Sequence, residues 1–185
     1  MSNNRTEKSR NSKADWTMVR GLLVALVALA IAGVASAQEN MDLTFRGAIG
    51  VIPVTGVAAN GAVNLNVVRG VNPAGPWRIA DLDADVRSDG HIRVKGRGLL
   101  LAAGNGIGTN AGASVFATLF CGPAATATAH SSNRVALEVD GDFRIDDLLS
   151  PALPTSCDTP VLLIRNAAGS GVWFAAGIPE LKSRD

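Results

Sequence analysis

The chain has 185 residues, a formal net charge of +1 and 47% hydrophobic residues, of which few are aromatic. That length suits one domain plus a short extension, and the near-neutral balance excludes a strongly basic nucleic-acid binder. The charge is unevenly laid: five of the 17 basic and two of the 16 acidic residues precede residue 38, so residues 38–185 carry 12 against 14, a net −2.

Arg5, Lys8, Arg10, Lys13 and Arg20 lead into an unbroken apolar run of 11 residues, Leu22 to Ala32, and Ala35-Ser36-Ala37 follows. A positive n-region, a short apolar h-region and an A-x-A site together predict a secretory signal peptide over residues 1–37, cut between Ala37 and Gln38. The 17 uncharged residues from Gly21 to Ala37 only just reach the length that spans a bilayer. No basic stop-transfer cluster follows them. Gln38 gives no support to a lipoprotein route, and no Arg-Arg pair supports a twin-arginine route. The expectation is a secreted or periplasmic protein of residues 38–185 that touches the membrane only through its signal peptide. An oxidising compartment then makes Cys121–Cys157 a single disulfide.

Leu43, Phe45, Gly47, Ile49 and Val51 alternate with Thr44, Arg46, Ala48 and Gly50, a period of two that predicts a first strand ended by Pro53 and Gly56. Asn60-Gly61 is a turn pair, and Val63, Leu65 and Val67 predict a second strand. After the turn cluster Asn72 to Pro76, a strand is expected from Trp77 to Val86, a turn at Ser88-Asp89-Gly90, and a return from His91 that extends through Leu99-Leu100-Leu101. A three-residue loop with Gly90 left-handed sets Val86 opposite Ile92 and Ala84 opposite Val94. The same register sets Asp85, Asp83 and Asp81 opposite Arg93, Lys95 and Arg97 on the wet face.

Gly104 to Gly112 reads as a long flexible loop. Ser114 to Cys121 is apolar on both faces, which suits a central strand. Residues 124–133 are small and polar and read as a loop. Val135, Leu137 and Val139 alternate, Asp140-Gly141-Asp142 turns, and Phe143 and Ile145 resume. Residues 150–160 hold three prolines and are expected to be irregular, and Val161–Arg165 with Val172–Ala176 form a last hairpin. No helical apolar period persists in residues 38–185, so the fold class is all-β: a single antiparallel β-sandwich, with its ordered core over about 41–179.

Several stretches resemble chemistry without its context. Gly106-Ile107-Gly108-Thr109-Asn110-Ala111 has the spacing of a dinucleotide loop, but a strand follows where that mechanism needs a helix N-terminus. Asp81, Asp83, Asp85 and Asp89 alternate with apolar residues as a strand face does, and Val86 stands where a calcium loop needs glycine. Asp140, Asp142, Asp146 and Asp147 form a looser acidic turn that matches no calcium spacing. His91 and His130 lack zinc spacing, and His130-Ser131-Ser132 lacks a nucleophile elbow, so His91 reads as a residue beside a turn and His130 as an exposed loop side chain. No catalytic residue, metal or cofactor is therefore assigned.

The resulting expectation is an exported protein with a structural or binding role and an envelope or extracellular partner. One alternative is a secreted hydrolase or metal-dependent enzyme with its site on the 104–112 loop. Another is a glycan-binding module, for which only Trp77 and Trp173 offer rings, and both read as core residues.

Overall fold

The computed structural model describes residues 41–53 and 66–180. The signal peptide, its cleavage point at Ala37 and Gln38, the Asn60-Gly61 turn and the strand residues Val63 and Leu65 lie outside the described residues. The described part is all-β, and none of it forms a helix long and apolar enough to cross a membrane.

The first strand, β1 (Leu43–Gly50), matches its alternation only at the start. Phe45 is fully buried, but Gly47 takes φ +79 and the register slips between Phe45 and Ala48. This bulge turns the Ile49 side chain outward within β1, although Val51, just past the end of the strand, is again buried. Ile49, expected beside Phe45, is 63% exposed.

Trp77 and Val86 do not share a strand. β2 (Trp77–Arg78) ends before β3 (Asp81–Val86), and the return, β4 (His91–Arg97), stops where Gly98 turns left-handed at φ +62. Leu100–Leu101 is a separate strand, β5, which pairs with β2 in a small two-stranded sheet. The hairpin itself forms in the expected register, with Val86 opposite Ile92 and Asp83 opposite Lys95. Its loop closes as Gly90 N–H donates to Arg87 O and Arg87 N–H to His91 O, both 2.9 Å, with Gly90 at φ +88.

Four further strands complete the middle of the chain: β6 (Ser114–Cys121), β7 (Thr128–Ser131), β8 (Val135–Ala136) and β9 (Phe143–Leu148). β7 falls where a loop was expected. It carries no apolar alternation and is held by its ladder to β6, with Leu119 opposite His130. The last hairpin is β10 (Val161–Asn166) with β11 (Trp173–Pro179).

The main sheet is antiparallel throughout and runs β7-β6-β10-β11-β1-β3-β4-β9, with β8 also on β6. Where two stacked layers were expected, one path of hydrogen bonds curls into a half-barrel. β1 joins the halves, because it pairs with β11 through one end and with β3 through the other, and its bulge bends the strand between them. The ends of the curl meet at Ser131 and Ser150, which exchange both backbone hydrogen bonds at 2.8 and 2.9 Å.

Inside lie Phe45, Leu82, Ile92, Leu119, Phe143, Leu162 and Ile164, all buried. The two halves differ outside. β3 and β4 alternate strictly between buried and exposed residues, whereas β6 and β10 bury both faces. Segment 66–76 runs along β11 on that covered half: Trp173 N–H donates to Asn72 O, Ala74 N–H to Trp173 O, and the Trp173 indole N–H to Asn66 O. Cys121, at the end of β6, is bonded to Cys157 across Cα atoms 4.6 Å apart, tying β6 to the irregular 150–160 segment.

Candidate functional site

Among the described residues lies an open cleft of about 660 Å³, a volume within the range that small-molecule sites occupy. Three turns build it. The first is the Ala74–Gly75 turn leading into Trp77. It is fixed by Ala74 N–H on Trp173 O and by Trp77 N–H donating to Val51 O at 2.9 Å.

The second turn is the end of the glycine-rich loop. That loop is a chain of hydrogen-bonded turns, not the flexible segment expected. Gly108 N–H donates to Leu101 O, Leu101 N–H to Thr109 O, and the Asn110 amide reaches Leu137 O and Glu138 O. Ala111 and Gly112, at φ +51 and +62, swing its last residues into the cleft wall.

The third is the β10–β11 turn, where Asn166 Oδ1 accepts Ala168 N–H and Asn166 N–H donates to Val172 O. Arg165 secures this turn from behind: its Nε–H donates to Gly171 O at 2.7 Å, and its guanidinium carbon lies 5.1 Å from the centroid of the Phe116 ring. Burial lowers the pKa of Arg165 from the ordinary guanidinium value.

Trp77 and Phe174, both buried, stack with centroids 4.1 Å apart and form the floor of the cleft. Arg134, exposed between β7 and β8, is the one charged residue in the lining. Among the described residues no carboxylate lies within ion-pair distance of it. The sequence singled out only Trp77 and the glycine loop from this set. Arg134, Asn166 and Phe174 carry no motif, and only the fold brings them together.

The outer face of β1, β3, β4 and β9 is a second polar arrangement. Arg46 donates to Asp85 at 2.8 Å, with Asp83 at 3.8 Å and Glu180 at 4.0 Å. The Asp85 hydrogen bond above all, then the surrounding negative charges, raises the Arg46 pKa against a lowering by burial. Arg97 pairs with Asp81, and Asp146 takes both Arg93 at 3.3 Å and His91 Nε2 at 3.0 Å. This is a solvated charge ladder, as expected for Asp81, Asp83 and Asp85.

The remaining candidates are dispersed. Asp140 Oδ1 accepts Asp142 N–H, Asp142 Oδ1 accepts Gly98 N–H, and Asp147 accepts Asn133 N–H. With Asp146 facing β4, the four carboxylates do not converge. His91 begins the return strand as expected, whereas His130 is not the exposed loop side chain expected. His91 is on β4 with Nδ1 buried, and His130 is on β7 at 2% exposure, turned into the core beside Leu119. His130 Nδ1 lies 2.8 Å from Pro151 O, which can only accept, so Nδ1 carries the proton; the buried Nε2 has no partner. Trp77 and Trp173 are both buried, so neither offers the open ring face on which a sugar stacks.

Comparison of the chain with protein families, with curated proteins and with solved structures finds no match.

Proposed function

We propose that residues 38–185 are an exported β domain, secreted or periplasmic, that acts by binding and not by catalysis. The observation that carries the export reading is the Cys121–Cys157 bond in a chain that opens with a signal-peptide pattern. The two halves joined through β1 are read as the layers of an opened sandwich, with the cleft at one end as the ligand site. Support for binding over hydrolysis comes from the cleft itself: its polar side chains are Arg134, the Asn166 amide and the Ser114 hydroxyl, and neither a histidine nor a carboxylate lines it to act as a base for that hydroxyl. The runner-up enzyme on the 104–112 loop has that loop's end in the same cleft, which is the feature in its favour.

The test is expression of the full chain in a bacterium with an oxidising periplasm, followed by intact-mass analysis of the exported fraction. A mass starting at Gln38 and lower by two hydrogens for one disulfide is expected. An unprocessed chain starting at Met1, or two thiols that alkylate without reduction, refutes the export reading.

A further inference from the structure

Resting on the binding reading of the cleft, we propose that its ligand is a small organic acid: a carboxylate on an apolar body. The lining divides into two chemistries. Ala74, Ala113 and Val172 offer apolar surface, with the nearly buried Trp77 and Phe174 side chains beneath them. Arg134, the Asn166 amide and the Ser114 hydroxyl offer polarity, and each has an N–H or O–H to donate. Asn166 Oδ1 is occupied by Ala168 N–H, which leaves its amide N–H groups as what it can present to the cleft. Among the described residues the lining holds no carboxylate, so an incoming cation would meet no compensating charge.

A guanidinium at the mouth of an apolar cleft selects for a planar anion that accepts two parallel hydrogen bonds. A neutral apolar molecule would leave that selection unused, and a phosphate-rich ligand would bring more charge than one arginine matches. The occupant that satisfies both parts carries one negative charge at the Arg134 end and hydrocarbon toward Trp77. The carboxylate can belong to a free acid or to a peptide C-terminus. The cleft is bounded on three sides by turns and suits the free acid.

Octanoate and 3-phenylpropionate are the probes, titrated into the mature, disulfide-bonded protein with tryptophan fluorescence (Trp77 and Trp173) and amide NMR shifts as readouts. Octanamide and a short peptide with a free or an amidated C-terminus are the comparison arms. Octanoate or 3-phenylpropionate should shift the signals of residues 74–77, 111–114 and 166–172. Octanamide and Arg134→Gln should each weaken binding by tenfold or more. Ala168→Phe, at the exposed rim, should block the cleft with the fold intact by circular dichroism.

Equal binding of octanoate and octanamide, undiminished binding to Arg134→Gln, tighter binding of the free-C-terminus peptide than of either acid, or no binding of any probe overturns the proposal. Failure here in a correctly processed protein leaves the export reading standing. An unprocessed protein that still binds octanoate through Arg134 removes the export reading and leaves this one.

Discussion

Asp83 stands directly across the β3–β4 ladder from Lys95, yet its carboxylate lies 3.8 Å from Arg46 on the strand at its other side. Lys95 in turn faces Arg144 on β9, a like charge. The charges therefore work as a lattice over four strands, with Arg46 as the cation shared by Asp83, Asp85 and Glu180. Arg46 also donates to Phe45 O and Ala84 O, which pins the two strands at the foot of the bulge. Arg46→Ala should cost more than Lys95→Ala, with the ion-pair part held to about 1 kcal/mol because these groups are solvated. Urea melts at low and high salt check it: the Arg46 effect should shrink as salt rises, and equal costs for the two variants would contradict the lattice.

The bulge at Gly47 separates two residues that the alternation alone puts on one face. Phe45→Ala should destabilise by about 3–5 kcal/mol, whereas Ile49→Thr should stay within about 0.5 kcal/mol. A large loss at Ile49, read from denaturant midpoints, would place that side chain in the core and remove the bulge.

Gly96 lies opposite Phe143, and a Cβ there would sit 2.0–2.8 Å from atoms of the Phe143 ring. Glycine is needed at this point of β4 for space, since the ring is packed and cannot withdraw. Gly96→Ala should cost about 1–3 kcal/mol from overpacking. Combining it with Phe143→Leu should return part of that loss, so the double variant is less unstable than the sum of the singles. Strict additivity would show that the ring and the glycine do not meet.

The Cys121–Cys157 bond spans 36 positions of sequence and holds the irregular 150–160 segment to the end of a central strand. Replacing both cysteines by serine should lower stability by about 2–5 kcal/mol. The loss should reach the Arg69 guanidinium contact with Thr159 O, which depends on that segment's position. Hydrogen exchange near residues 151–160 should rise more than exchange in β3 and β4. A uniform increase would mean that the bond acts on the whole curled sheet and not on this segment.

The β3–β4 hairpin was legible in the sequence because two independent signals, apolar alternation and opposed charges, require one register. The final hairpin and the cysteine pair were legible for the same kind of reason. β7 was not, since Thr128-Ala129-His130-Ser131 has no alternation and its strand exists through backbone pairing with β6. The breaks at Ile79 and Gly98 were hidden because apolar residues continue across them: a change of sheet leaves the hydropathy unchanged and shows only in backbone dihedrals. His130 read as a loop residue because a buried histidine needs a carbonyl acceptor, and Pro151 lies 21 positions away. Cys121, Trp77 and the glycine loop could be found one by one. Their relation to Arg134 and Asn166 is a property of the curl.

The paired serines at the ends of that curl have a consequence for how copies of the protein meet. An open sheet leaves a row of unsatisfied N–H and C=O groups on each outermost strand, ready to template a stranger's chain. Here Ser131 and Ser150 spend those groups on each other, and Asp147 occupies the N–H of Asn133 just beyond. The two outermost strands of the path thus guard one another at the point where they converge, so an unpaired extended segment from another molecule finds little backbone there to join.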